Sequence, residues 1–234
     1  MGGPAQASVD TNTSLGDTRM VRMIAAVVAL LLSASFAHAE SLRILTTGAF
    51  KQVVLELIPA FEKRTGASVE VAADTAGGLL KRIEAGETFD IVFLTPAGLR
   101  SLVDQGKVQS ASVMPVAKVA IGVAVLKGAA VPSLRTAEEF KTAVLNARKI
   151  AYIDPASGGS SGVYLEGLFQ RLGIADAVRQ KSVLVFGGAA AERVAAGEAD
   201  LAIHQVSEIL SVRGVVLAGL LPAAIQNYTV YGTA

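Results

Sequence analysis

Three short stretches combine hydroxyls and glycine at the junction between an apolar run and an amphipathic one. They are "TTGAF" (Thr46–Phe50), "DTAGGL" (Asp74–Leu79) and "DPASGGSSGVY" (Asp154–Tyr164). A helix begins with amide N–H groups that lack intrahelical partners, at the positive end of its dipole. Glycine lets an anion approach those amides, and serine or threonine adds hydroxyl donors. The candidate contacts are Thr47, Gly48 and Ala49 in the first stretch, and Thr75 and Ala76 in the second. Ser157, Ser160 and Ser161 are those of the third. Such a set hydrogen-bonds a small anion rather than making or breaking bonds. Each loop taken singly also fits ordinary capping, with Ser160 or Ser161 as the N-cap of the following helix.

Lys51 and His204 add charge or protonation. Lys51 falls in the first turn of its helix, where a cation opposes the dipole; it either reaches a ligand carboxylate or lies solvated. His204 ends the apolar run "DLAI" and precedes Gln205. Hydrogen bonding to a ligand or loop, proton transfer, and simple packing at a strand end all remain open for it. The other histidine, His38, lies near the N-terminus, so a multi-histidine metal site is not expected. Carboxylates at ligand spacing are also absent, and no metal or cofactor is expected. Neither G-x-x-x-x-G-K-[ST] nor G-x-G-x-x-G occurs in the loops, which argues against a nucleotide. The serine loop lacks a G-x-S-x-G elbow, which argues against a hydrolase. No catalytic residue follows from motifs alone.

The elements that must position these residues alternate. "LRILTT" (Leu42–Thr47) precedes a helical pattern in Phe50, Val53, Val54, Leu57 and Phe61; "SVEVAA" precedes "AGGLLKRIEAG"; "FDIVFLT" precedes "PAGLRSLVDQG". Later, "KIAYIDP" leads into "SGVYLEGLFQRLG", and "SVLVFGG" into "AAAERVAAG". This order predicts an α/β fold of mostly parallel sheets flanked by helices. The long run "VMPVAKVAIGVAVLKG" (Val113–Gly128) interrupts it and can carry the chain between lobes. An internal echo, "RIEAGETFDIVFLT" against "RVAAGEADLAIHQ", aligns Asp90 with Asp200 and Thr95 with Gln205. Thr95 and Gln205 would then lie at the carboxyl ends of equivalent strands, where open α/β sheets bind ligands. Both join the candidate set.

Charge and leader bound the setting. With 21 basic and 20 acidic side chains, the charges nearly cancel, so a nucleic-acid surface is not expected. There is no cysteine, which excludes disulfides and thiolate metal sites. "RMVRMIAAVVALLLSASFAHAE" has a basic start, a short apolar core and an A-x-A site. Residues 1–39 therefore read as a leader with a secretory signal peptide cleaved after Ala39, exporting the protein to the periplasm.

The stretches "LTTGAFKQVVLELIPAFEKRTGASVEV", "GGLLKRIEAGETFDIVFLT", "DPASGGSSGVYLEGLFQRLGI" and "AAERVAAGEADLAIHQVSEIL" together resemble periplasmic solute-binding proteins of ABC importers, most closely the molybdate-binding family. The resemblance implies a type 2 periplasmic-binding-protein fold: two α/β lobes joined by crossovers and closing on a ligand in the cleft between them. Lobe 1 would hold 40–117 plus 222–234, and lobe 2 would hold 118–221. The implied partners are a small anion and an inner-membrane ABC permease, with the protein a monomer. A chemoreceptor ligand module is a further class on the same scaffold.

Departures from the pattern shift the ligand. Ala49 stands where molybdate binders place a donor serine, Gln205 where they place a tyrosine, and Ala76, Gly77 and Gly78 where serines are usual. Missing hydroxyls weigh heavily in a dry site, and Lys51 and His204 add cationic or protonatable groups. The expectation moves from a tetrahedral oxyanion toward an organic carboxylate. The alternative is a periplasmic isomerase resembling aconitate isomerase, with His204 as base. Family members continue past "NYTVYGTA" with a closing helix, so apolar surface left open on the first lobe, and lower stability, are also expected.

Overall fold

The computed structural model of the protein describes residues Ser41–Ala234, together with Gly2. The expected signal peptide lies outside the described residues.

The first three β–α units follow the apolar periodicity closely. Strand β1 (Ser41–Thr47) leads into helix α1 (Gly48–Thr65), β2 (Ser68–Asp74) into α2 (Ala76–Glu84), and β3 (Ile91–Leu94) into α3 (Pro96–Asp104). β1 pairs in parallel with β2 and with β3. Leu45, Val92 and Leu94 from these strands pack with Leu79, Ile83, Leu99 and Leu102 from α2 and α3. The long strand β4 (Met114–Leu126) then changes sheets. Its first part, Met114–Ala120, pairs antiparallel with the last strand, β9 (Tyr228–Thr233), which also pairs with β3. Its second part pairs antiparallel with β7 (Leu201–Gln205) on one side and β8 (Val215–Leu220) on the other.

The second lobe repeats the scheme. Helix α4 (Ala137–Asn146) precedes β5 (Ile150–Ile153), which pairs in parallel with β6 (Ser182–Val185) and β7. Helices α5 (Ser160–Arg171), α6 (Ala175–Arg179), α7 (Ala191–Ala195) and α8 (Val206–Leu210) connect these strands. A core of Ile121, Phe140, Tyr152, Leu165, Phe169 and Ile203 joins β4, β5 and β7 to α4 and α5. The outcome is two α/β lobes that share the strands β4, β8 and β9 as connectors. The α4 region carried no expectation from sequence, because "AEEFKTAVLN" follows a loop without a preceding strand.

The internal echo has a structural counterpart. Asp90 donates its N–H to the Arg43 carbonyl, and its carboxylate accepts the Arg43 N–H at 2.7 Å. Asp200 likewise donates to the Lys149 carbonyl and accepts the Arg148 N–H at 2.7 Å. Each aspartate anchors the start of a parallel strand to its neighbour. Gly86 and Gly197, at φ 98° and 75°, make the left-handed turn between helix and aspartate, a conformation that penalises any Cβ. On the first lobe, Met114 and Val116 of β4 and Tyr228 and Val230 of β9 are exposed.

Candidate functional site

A cavity of about 210 Å³ lies where the loops after β1, β2, β5 and β7 meet. Two helix starts face it from opposite lobes. α1 begins after Thr47, whose side chain makes no capping bond. The Thr47 hydroxyl is buried, in a residue only 4% exposed, and has no partner. α5 begins after Gly159, which has no side chain to cap with. The threonines before α2, α3 and α4 behave differently: Thr75 accepts from Gly78 N–H, Thr95 from Gly98 N–H and Thr136 from Glu139 N–H. The helix starts left uncapped thus include one from each lobe at the cavity wall. Their free amides, with the dipoles of helices 18 and 12 residues long, favour negative charge between them.

Most of the expected residues meet here. Thr47, Gly48, Ala49 and Lys51 line the cavity from the first loop, and Thr75 and Ala76 from the second. Ser160, Ser161, His204 and Gln205 line it from the other lobe. Ser160 and Ser161 occupy the first helical positions of α5 rather than capping it. Ser160 lies 3.2 Å from the Tyr231 hydroxyl and receives Gln205 Nε2 at 3.3 Å. Gln205 also donates to Thr229 at 2.7 Å, and its Oε1 is buried without a partner.

Two expected contacts lie elsewhere. Thr95 is not part of the cavity wall; its hydroxyl is spent on the Gly98 N–H at 3.3 Å. Ser157 also stands off the wall, and its hydroxyl donates to the Asp154 carbonyl at 2.8 Å. The Ser157 carbonyl instead accepts from Thr75 at 2.6 Å, while Gly77 N–H donates to the Gly158 carbonyl at 3.2 Å. These bonds clasp the lobes beside the cavity. Thr75 therefore spends its hydroxyl on the cap and the clasp.

Glu208, Tyr231 and Glu192 line the cavity without having been anticipated. Glu208 sits four residues after His204, a helical spacing hidden because α8 is only five residues long. His204 Nε2 lies 3.1 Å from Glu208 Oε2, with side chains 2% and 13% exposed. Burial pushes the imidazole down to about 3 and the Glu208 carboxyl up to about 8. Both shifts, each caused by desolvation, run against an ion pair and toward a hydrogen bond between neutral groups. Burial also pushes the Tyr231 phenol up to about 12, so it stays a hydrogen-bonding hydroxyl. Lys51 is exposed at the cavity mouth. Among the described residues, no group of three or more metal-ligating side chains occurs, and no helix is long and apolar enough to cross a membrane.

Comparison with known proteins agrees with this architecture. Residues 42–234 match the family model for bacterial extracellular solute-binding proteins. An aconitate isomerase from a Pseudomonas species is 32% identical over 200 residues, spanning 83% of this chain and 75% of that protein. The periplasmic molybdate-binding protein of Azotobacter vinelandii superposes with a TM-score of 0.66 at 20% identity, over 82% of this chain and 84% of that one. A tungstate-binding protein from Desulfovibrio alaskensis superposes with a TM-score of 0.53 at 18% identity, over 83% and 81%. With its family match running through both lobes and the cleft between them, the chain belongs to the bacterial extracellular solute-binding proteins.

Proposed function

We propose that the protein captures a small organic carboxylate between its lobes, as the periplasmic binding component of an ABC importer. The observation that carries this reading is the pair of uncapped helix starts facing one cavity, with the unpartnered Thr47 hydroxyl between them and the ligand space. The several oxygens of a carboxylate ligand can satisfy these donors from both lobes. At about 30 Å³ per liquid water, a cavity of about 210 Å³ has more room than one tetrahedral oxyanion fills. Ala49 and Ala76 contribute only backbone donors, which suits a ligand with fewer oxygens to satisfy on each face. In this reading, lobe 1 is 40–117 with 222–234, lobe 2 is 118–221, and the connector strands act as the hinge. Bound ligand favours the closed form because each lobe supplies part of the contacts, and the permease reads that closure. The secretory leader delivers the protein to the periplasm.

Titration calorimetry against citrate, trans-aconitate, malate, molybdate and sulfate tests this. Di- or tricarboxylates are expected to bind and the inorganic oxyanions not; preferential molybdate binding would reverse the ligand class. In Thr47→Val, the apo protein is expected to melt no lower than wild type, since the lost hydroxyl had no partner. Its carboxylate affinity is expected to fall about tenfold, the worth of roughly one buried hydrogen bond.

A second reading, proton transfer on a tricarboxylate, is favoured by the buried His204–Glu208 pair at the cavity wall and by the isomerase named among the relatives. A general base needs a pKa near working pH within reach of the acidic carbon. Of the pair, Glu208, held up to about 8, meets that pKa condition, while His204, held down to about 3, supports it by a hydrogen bond. Incubation with trans-aconitate in D₂O, followed by NMR, would show cis product and deuterium uptake, both lost in Glu208→Gln. Absence of turnover leaves the binding reading alone.

A further inference from the structure

An acidic side chain in the wall of an anion site calls for an explanation, and the geometry around Glu208 supplies one. Ala190 N–H donates to His204 Nδ1 at 3.3 Å, so that nitrogen offers a lone pair. The ring proton therefore sits on Nε2 and is donated to Glu208 Oε2 at 3.1 Å. An imidazolium would set a second N–H against the Ala190 N–H, so His204 is neutral and brings no countercharge. Among the described residues, no lysine or arginine lies within ion-pair distance of Glu208. A buried carboxylate without a countercharge takes up a proton. With Oε2 accepting from His204, Oε1 is the oxygen free to carry it. Oε1 lies at the cleft wall beside Gly48, so close that a Cβ on Gly48 would overlap it.

We propose that Glu208 is a specificity-determining residue that faces the cleft as a neutral carboxylic acid and donates a hydrogen bond to a carboxylate oxygen of the ligand. The inference rests on the carboxylate-capture reading. It turns an apparent repulsion into a selective donor, strongest toward anions whose oxygens are good acceptors. The groups around α8 are few. α1 contributes Lys51 and β7 contributes His204; β8 has no titratable residue, and Lys118 of β4 and Lys127 just after it are not part of the cavity wall. Tyr231, Glu192 and Asp74 face the same cavity, Asp74 with Arg82 at 3.6 Å. Burial holds the Glu208 carboxyl up to about 8. The donor is therefore present below that pH and lost above it, where ionised Glu208 also repels the ligand. Affinity then falls by up to about tenfold per pH unit.

The test is calorimetry with citrate and trans-aconitate from about pH 7 to about pH 9.5, a range in which ordinary carboxylates are fully ionised. Wild type is expected to bind with constant affinity up to about pH 8 and then to lose it steeply. Glu208→Gln keeps a neutral donor: it is expected to bind about threefold more weakly at pH 7 and to show no alkaline loss. Glu208→Ala is expected to bind about tenfold more weakly at pH 7. A melting profile for each variant establishes that it is folded. Wild-type binding that stays flat through pH 9.5 overturns the inference and leaves carboxylate capture standing. An alkaline loss that persists in Glu208→Gln does the same, assigning it to a group other than Glu208. Failure of wild type to bind either acid at any pH overturns the reading and the inference together.

Discussion

The Gly77→Ala protein is expected to melt no lower than wild type yet to bind its ligand 10- to 100-fold more weakly. A Cβ at Gly77 would lie 2.8 Å from Gly158 Cα and 3.0 Å from the Ser157 carbonyl oxygen. Both are backbone atoms of the opposite lobe, so no side-chain rotation relieves the overlap. In the hinge-closure reading the cost falls on the closed form, in which Gly77 N–H also donates to the Gly158 carbonyl. Overpacking of this kind costs about 1–3 kcal/mol. Charged against the closed form alone, it lowers the fraction competent to hold ligand and raises the apparent Kd by the same factor. Within its own lobe the change is favourable, since alanine is a better helix former than glycine by about 1 kcal/mol. Opposite signs for melting and binding are what separate a closure defect from a folding defect. Unchanged affinity would show that the clasp is not part of the liganded form. Gly158 is the poorer probe: its φ of 71° would strain any Cβ whether the lobes are open or closed.

The largest loss of stability is expected at Gly162. In α5 its Cα faces β5 so closely that a Cβ would overlap the Ile153 carbonyl oxygen and lie 2.9 Å from the Ile153 carbonyl carbon. Gly162→Ala must push α5 off the sheet. Leu165, Leu168 and Phe169 would then withdraw from the core they form with Ile150 and Tyr152. The expected cost is about 3 kcal/mol, near the upper end for overpacking. For a domain of this size that lowers melting by about 6–12 °C. Gly167→Ala on the same helix is the control, since a Cβ there meets only the Arg171 guanidinium, at 3.3 Å. It should melt slightly higher than wild type. A Gly162→Ala melt within a degree or two of wild type would mean that α5 has slack the packing does not suggest. The same helix places Ser160 and Ser161 at the cavity, so its seating on β5 also sets the donor geometry of the site.

How far the sequence reaches is clearest at the loops. Alternating apolar runs were enough to place β1, β2, β3, β5, β6 and β7, helped by the threonine that precedes each of the first three helices. The run Val113–Gly128 was legible as a connector because a strand that long exceeds what one sheet face needs; the structure pairs its two parts with different sheets. Helix α4 was not legible, since its preceding segment gives no strand signal, and α8 was too short for periodicity to register. Thr47, Thr75 and Thr95 look equivalent in sequence, each a threonine before a helix. Only the structure separates a free hydroxyl at the cavity, a clasp between lobes, and a plain cap outside the site.

What the chain determined unaided is the set of helix starts able to hold an anion and the order in which the folding units present them. Local chemistry decides that, because capping preference and backbone freedom act over a few neighbouring residues. What tertiary structure decided is which donors remain unspent and which acid is neutral. His204 and Glu208 become a proton-bearing pair because the Ala190 amide, arriving from a different loop, fixes the ring tautomer and burial removes water from the carboxyl. Those interactions join residues distant in sequence and depend on desolvation, which no local pattern of residues encodes.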